Sequence, residues 1–289
     1  MLQALRILRR PRARAVLDGI VSRLPVRAEA RGKEGVVVDH ACTHVWKIPT
    51  EWLNRAKKIS VHYACTSHGS QIIAGLQHLR HHVDPVRYSV EITMSGESVI
   101  QPPEQDPPAV RMYVGNPPKA YVRPEDYWDG KSAMDRTRAV ARTGLFNVSM
   151  WAWCGQQSWN SAWTVRRYLK ALDLLEQEFP AMRFVYMTGH TDGGSAILAR
   201  NNGMVREYCR RNDKVLFDFA DLESWDPEGK HYPDTTDACT WCEGWCTAHP
   251  EDAVSLPKCP HTHGFSGVLK ARAFWWMMAR LAGWVGEKT

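Results

Sequence analysis

The sequence predicts an α/β fold, a parallel sheet with helices on both faces, and three observations predict it. Short apolar runs rich in β-branched and aromatic residues alternate with helical patterns of about 12–17 residues, the rhythm of parallel strands joined by crossover helices. Polar and small residues follow one run after another at its carboxyl end, where open parallel sheets bind their ligands. The 289-residue chain is 44% hydrophobic and 24% charged, which suffices for a large core and excludes disorder of the whole chain.

Residues 1–35 read as a basic arm with no evident core. Its first 31 residues hold eight Arg against Asp18 and Glu29, a surplus equal to the formal net charge of +6. The remainder is close to neutral, so the charge says little about the partner of the main body; nucleic acid is not expected, and the arm is either a solvated extension or a contact for another protein or an acidic surface. Residues 36–289 read as a single domain. The stretch 44–58, "HVWKIPTEWLNRAKK", is an amphipathic lead-in. "ISVHYA" (59–64) is a strand, followed by a helix over 69–80. Residues 86–94 and 110–114 are β-like, separated by "QPPEQDPP", whose prolines make it a loop. "GLFNVSMWAW" (144–153) is a buried strand, and 162–178 a helix ended by Pro180. "MRFVYMTG" (182–189) is a strand, 196–211 a helix and "KVLFDFADL" (214–222) a strand. A long irregular loop (223–264) follows, and 268–281 closes the domain as an apolar helix. No apolar run approaches the roughly 18 residues of a membrane span. "AVLDGIVSRL" is interrupted by Asp18 and Arg23 and makes a poor signal-peptide core.

The long loop holds Cys239, Cys242, Cys246 and Cys259, four of the eight cysteines. Such crowding suits disulfides that pin a loop no secondary structure holds, and hence a secreted or periplasmic protein. The alternatives are Zn²⁺ held by cysteines with His249, His261 and His263, and free thiols. Disulfides are the expectation, with no metal and no cofactor required. Trp225, Trp241 and Trp245 either fold this loop onto the body or stack on sugar rings. The acids from Asp218 to Glu228 read as a turn held by Asp side chains, with a bound cation as the alternative.

Five groups of polar residues should meet at the carboxyl rim. Ser67, His68 and Gly69 follow the first of these strands, and Cys154, Gly155 and Gln156 follow the 144–153 strand. His190, Thr191 and Asp192 come next, then Glu223 and Asp226; His261 and His263 precede the last helix. Ser67 at a helix start suits a cap. It equally suits a nucleophile whose oxyanion is held by the helix N-terminus, with Gly69 letting the backbone approach closely.

These blocks resemble the SGNH (GDSL-like) hydrolase superfamily, in its divergent bacterial branch, over residues 57–284. "TSHGSQ" supplies a Ser-x-Gly first block. "WCGQ" stands at the Gly-x-Asn block with Gln156 in place of Asn, and "CPHTHG" stands directly before the closing helix, where the family's His lies. The resemblance implies a flavodoxin-like three-layer α/β/α sandwich. It also implies a serine hydrolase of esterase or deacetylase type cleaving an O-acyl ester, with a saccharide as a candidate carrier. Ser67 is then the nucleophile and His261 its base. Backbone N–H groups at Ser67 and Gly155, with the Gln156 amide, hold the oxyanion. His190 is a rival base or a substrate contact, and His263 suits a cap. The chain departs from the family in lacking Gly-Asp-Ser. No Asp stands three residues before either histidine; Lys258 and Pro260 do, which leaves Asp252, Asp221 or Asp226 as the orienting acid. The departures keep open a non-catalytic binding or structural domain on the same fold. His68, adjacent to Ser67, is expected to point away from it.

Overall fold

Seven apolar segments pair into one parallel sheet: β1 (Val36–Val38), β2 (Ser60–Ala64), β3 (Val90–Met94), β4 (Val110–Val114), β5 (Val148–Trp151), β6 (Arg183–Met187) and β7 (Val215–Phe217). The computed structural model describes residues 35–286, so the basic arm read over 1–35 lies, but for Gly35, outside the described residues. The strand order is β1-β7-β6-β5-β2-β4-β3, and every pairing is parallel. All residues of β2, β5 and β7 are buried, as a sheet covered on both faces demands.

The helices are α1 (Thr50–Ala56), α2 (Ser70–His78), α3 (Pro124–Tyr127), α4 (Lys131–Arg142), α5 (Ala162–Glu178), α6 (Ala196–Arg211), α7 (Phe219–Ser224), α8 (Cys242–Ala248) and α9 (Gly264–Leu281). On one face α9 packs against α2 and α1. On the other α5 packs against α6, and Arg138 of α4 grips Glu178 through two 2.7 Å bonds. The result is the expected three-layer α/β/α sandwich. Among the described residues no helix is long and apolar enough to cross a membrane.

The order of the inner strands, β4-β2-β5-β6-β7, puts the topological switch point between β2 and β5. In their register Ala64 stands opposite Trp151. Residues 65–68 and 152–155 therefore leave the sheet side by side, which is what assembles the site.

Several boundaries differ from the expectations. The strand expected over 214–222 stops at Phe217, because Asp218 turns the chain: its carboxylate accepts the Asp221 N–H and is clamped by Arg206 at 2.6 and 2.8 Å. Helix α7 then fills 219–224. The loop over 223–264 is not irregular throughout. It holds α8 and a 3₁₀ turn at Pro250–Ala253, and Cys239, Trp241, Cys242, Cys246, Phe265 and Leu269 form a small core of its own. Where two bridges were expected, one joins Cys239 to Cys242, while Cys246 and Cys259 are free thiols. Trp241 and Trp245 fold the loop, their indole N–H groups donating to the Glu223 carbonyl and the Asp252 carboxylate. Strand β1 and helices α3 and α4 were not read from the sequence.

Candidate active site

Ser67, His68, Cys154, His190 and His261 converge at the switch point. Ser67 precedes α2, and Ser67 Oγ lies 3.0 Å from His261 Nε2, joining segments 194 residues apart. It does not cap α2, since no side chain caps that helix. His263 does cap α9, its ring accepting the Phe265 N–H at 3.2 Å. Of the three histidines considered for Ser67, His261 is the one at hydrogen-bond distance.

His261 sits in a left-handed backbone conformation, φ 64°, which costs a non-glycine residue of order 1–2 kcal/mol and persists only where its surroundings fix it. They do. Gln71 Nε2 of α2 donates to the Pro260 carbonyl at 2.7 Å. Gln71 Oε1 accepts from Lys270 at 2.5 Å, and Lys270 also grips Glu223 at 2.8 Å; both charged side chains are fully buried. The other oxygen of Glu223 takes the N–H and hydroxyl of Thr191 at 2.7 and 2.9 Å. A single buried polar frame thus ties the Ser67 helix, the His261 turn and the His190 turn together.

His68 is where expectation and structure part. Its ring does not point away; it lies in the centre of the site, stacked between His190 at 3.9 Å and His261 at 4.5 Å. Its Nδ1 is 3.1 Å from Cys154 Sγ, and its Nε2–H donates to Asp237 Oδ2 at 3.0 Å. The residue follows Ser67 at the entry to a helix, where successive side chains fan around the axis rather than alternate across a strand. Burial pulls the His68 pKa down, but its bonds to Cys154 and Asp237 outweigh that and raise it. The Cys154 thiol is lowered to about 6, chiefly by the His68 hydrogen bond; burial opposes this, while Thr66 and the Gly155 N–H assist.

Asp237, which sequence reasoning missed, is held by its neighbours. An antiparallel bridge joins Thr236 to Asp192, and the Ala238 carbonyl accepts the His263 N–H at 3.2 Å. None of the acids proposed for orienting His261 reaches it. Asp252 binds Arg272 at 3.0 Å, Asp221 binds His40 at 2.5 Å, and Asp226 holds its own turn. Gln156 spends its amide oxygen on the Cys154 N–H at 2.8 Å, so its first task is to hold that turn.

Gly69 is required by packing rather than by a ligand. A Cβ there would stand 2.3 Å from the Cys65 Cβ and 2.7 Å from the Tyr63 hydroxyl, which donates to the Gly69 carbonyl. At Gly155 a Cβ would meet the Trp159 ring at 2.9 Å, and that indole is 68% exposed. His190 is 8% exposed. Its Nδ1–H donates to the Thr191 carbonyl at 2.7 Å, which leaves a lone pair on Nε2 and no partner for it.

The zinc alternative on the loop finds no support, because the bridge uses two of its thiols and no loop cysteine joins a converging ligand set among the described residues. One ligand atom each of His68, Asp237 and His261 falls within 4.8 Å of the others. Of these three, His68 donates its Nε2–H to Asp237, while the His261 ring bonds Ser67 instead.

No family model, curated protein or solved structure matches the chain. The class that fold and rim define is a three-layer α/β/α protein with a Ser–His pair and a Cys–His–Asp chain at its switch point.

Proposed function

We propose that the protein is a carboxylic-ester hydrolase resembling the SGNH type, with Ser67 as nucleophile and His261 as its base. The observation that carries this reading is the 3.0 Å separation of Ser67 Oγ from His261 Nε2 at the switch point of the sheet. In this reading His261 accepts the Ser67 proton as Oγ attacks the acyl carbon. His261 then returns the proton to the leaving alcohol. Water, deprotonated by His261, releases the acid from acyl-Ser67. We assign the Ser67 and Gly155 N–H groups to the developing oxyanion. A saccharide carrier is supported by Trp159, an exposed aromatic face seated against Gly155. The Cys239–Cys242 bridge supports an oxidising compartment, and hence secretion or the periplasm.

Ser67→Ala tests the assignment: turnover of a chromogenic short-chain ester should fall on the order of 10³-fold or more while the melting curve is unchanged. Unchanged turnover sinks it. The second reading, a binding domain without catalysis, is favoured by one observation: the nearby carboxylate, Asp237, is bonded to His68 and not to His261.

A further inference from the structure

The Ser67 chemistry leaves the more complete hydrogen-bonded chain at this rim without a role. Cys154 Sγ, His68 and Asp237 stand in line at 3.1 and 3.0 Å, and the His68 side chain is 6% exposed, against 30% for Asp237. A thiol that only filled space would not face an imidazole whose far nitrogen is held by a carboxylate. That arrangement fixes the tautomer and ring plane of His68 and stabilises its charged form. Cys154 is half-buried at a strand end, as an accessible nucleophile must be. It lies 3.9 Å from Ser67 Oγ, so both groups face one substrate position.

A second observation points to a ligand at the same place. The buried His190 Nε2 has no partner, and it lies 3.7 Å from where a side chain on Gly155 would begin. Buried polar atoms are rarely left unpaired, so this lone pair faces a group that arrives with a ligand. A substrate hydroxyl or an attacking water would meet it.

We propose that Cys154 is a covalent catalytic site that takes an acyl group from an activated ester or thioester, with His68 as its acid and base and Asp237 as the residue that positions His68. The proposal takes only the acyl class of the substrate from the reading above. The thiolate attacks the carbonyl carbon; the C–S bond forms and the bond to the leaving alkoxide or thiolate breaks. His68, protonated, gives that group its proton and becomes neutral. In a slower step it takes a proton from water, whose oxygen attacks the thioester; the C–S bond breaks, the acid leaves and the thiolate–imidazolium pair is restored. His190 Nε2 accepts a hydrogen bond from that water. The other groups bearing on the pair are the hydroxyls of Thr66 and Ser67, the His261 ring stacked on His68, and the buried Glu223, whose charge also favours His68 in its protonated form.

The test uses the full chain and two probes. Iodoacetamide alkylation, located by peptide mass spectrometry and followed against pH, should show a Cys154 midpoint near about 6. An ordinary thiol titrates near ~8.5, and a midpoint there overturns the proposal. Asp237→Asn should move the midpoint upward and Asp237→Glu should restore it; an unmoved midpoint in Asp237→Asn removes Asp237 from the chain. The second probe is p-nitrophenyl acetate given to Ser67→Ala. A stoichiometric burst of nitrophenolate that is absent from Ser67→Ala/Cys154→Ala supports acylation of the thiol, and no burst ends that assignment. The two proposals fail separately. Lost turnover in Ser67→Ala with an ordinary Cys154 thiol leaves the serine reading standing and this one overturned. Full turnover in Ser67→Ala with a reactive, acylated Cys154 does the reverse.

Discussion

Two serine–histidine pairs cross between neighbouring segments of this molecule at nearly the same distance, and they are different objects. His62 Nδ1 lies 2.8 Å from Ser149 Oγ in the middle of the sheet, whereas His261 Nε2 lies 3.0 Å from Ser67 Oγ at its rim. The inner pair is closed. His62 is fully buried, its Nε2–H donates to the Gly115 carbonyl at 2.8 Å, and Ser149 also meets the Tyr127 hydroxyl at 2.6 Å. Burial holds His62 neutral by pulling its pKa to about 4, against a smaller upward pull from the Gly115 bond. The rim pair is open: His261 is exposed and its backbone is strained. Distance alone therefore does not separate an open rim pair from a closed core contact. Spare hydrogen-bonding capacity and access do.

The largest effect expected of this contrast comes from deleting each hydroxyl. Ser67→Ala should remove on the order of 10³-fold or more of ester turnover at unchanged stability. Ser149→Ala should leave kcat unchanged and destabilise the fold by about 1–3 kcal/mol, because it strands the buried His62 nitrogen. Chemical denaturation beside a turnover assay reads both. If the two variants behave alike, the distinction between core pair and rim pair is lost.

The frame behind the rim comes next. Lys270→Met leaves the Glu223 carboxylate buried without its cation and should cost about 3–5 kcal/mol. It also frees Gln71, which holds the Pro260 carbonyl, so turnover should fall in the fraction that remains folded. Pairing it with Glu223→Gln should recover part of the stability. A denaturant midpoint within about 1 kcal/mol of wild type would show that the buried pair contributes little.

His62 gives the core pair a pH signature. Its folded pKa of about 4 lies below the ordinary histidine value of 6.5, so between those pH values the unfolded chain binds the extra proton. Stability therefore falls as pH drops from about 6.5 to about 4, by about 3 kcal/mol in total from this group. Denaturant midpoints against pH measure it. His62→Gln should flatten that part of the curve, and an equally steep curve in the variant would assign the loss to other groups.

The fold was legible because each parallel strand is a short apolar run and each long helix has its own punctuation. Helices α5 and α6 were read to the residue, at Ala162–Glu178 and Ala196–Arg211. The three-residue strand β1 was too short to show a period, and α4 buries only Met134 and Val140 as large apolar groups, beside the small Ala133 and Ala141, so it did not stand out. The rim was legible in outline, since residues that follow parallel strands must gather at one edge. Ser67 and His261 come from that rule together with a resemblance. His68 was misread because adjacency to Ser67 was taken to make the two side chains diverge, whereas residues entering a helix fan around its axis. Asp237 has no local signal: what aims it is pairing with the His190 and His263 segments, far away in the chain. The frame of Gln71, Glu223 and Lys270 was invisible for the same reason, its charges being 47 residues apart.

The smallest effect tests the remaining disagreement between sequence and structure, the role of Gln156. An amide N–H₂ in an oxyanion hole contributes on the order of 10²–10³ in kcat. Here the carbonyl half of that amide accepts the Cys154 N–H at 2.8 Å, which fixes which way the group faces and makes it a brace for the turn carrying Cys154 and Gly155. Gln156→Ala removes one partly exposed hydrogen bond, about 1 kcal/mol, and frees the Cys154 N–H without touching Ser67 or His261. Ester turnover in Gln156→Ala should therefore change less than about tenfold, and the larger change should fall on the rate at which Cys154 is alkylated. A loss of about 10²-fold or more in kcat would return Gln156 to the oxyanion hole. It would also draw the rim pair closer to the family pattern its blocks resemble.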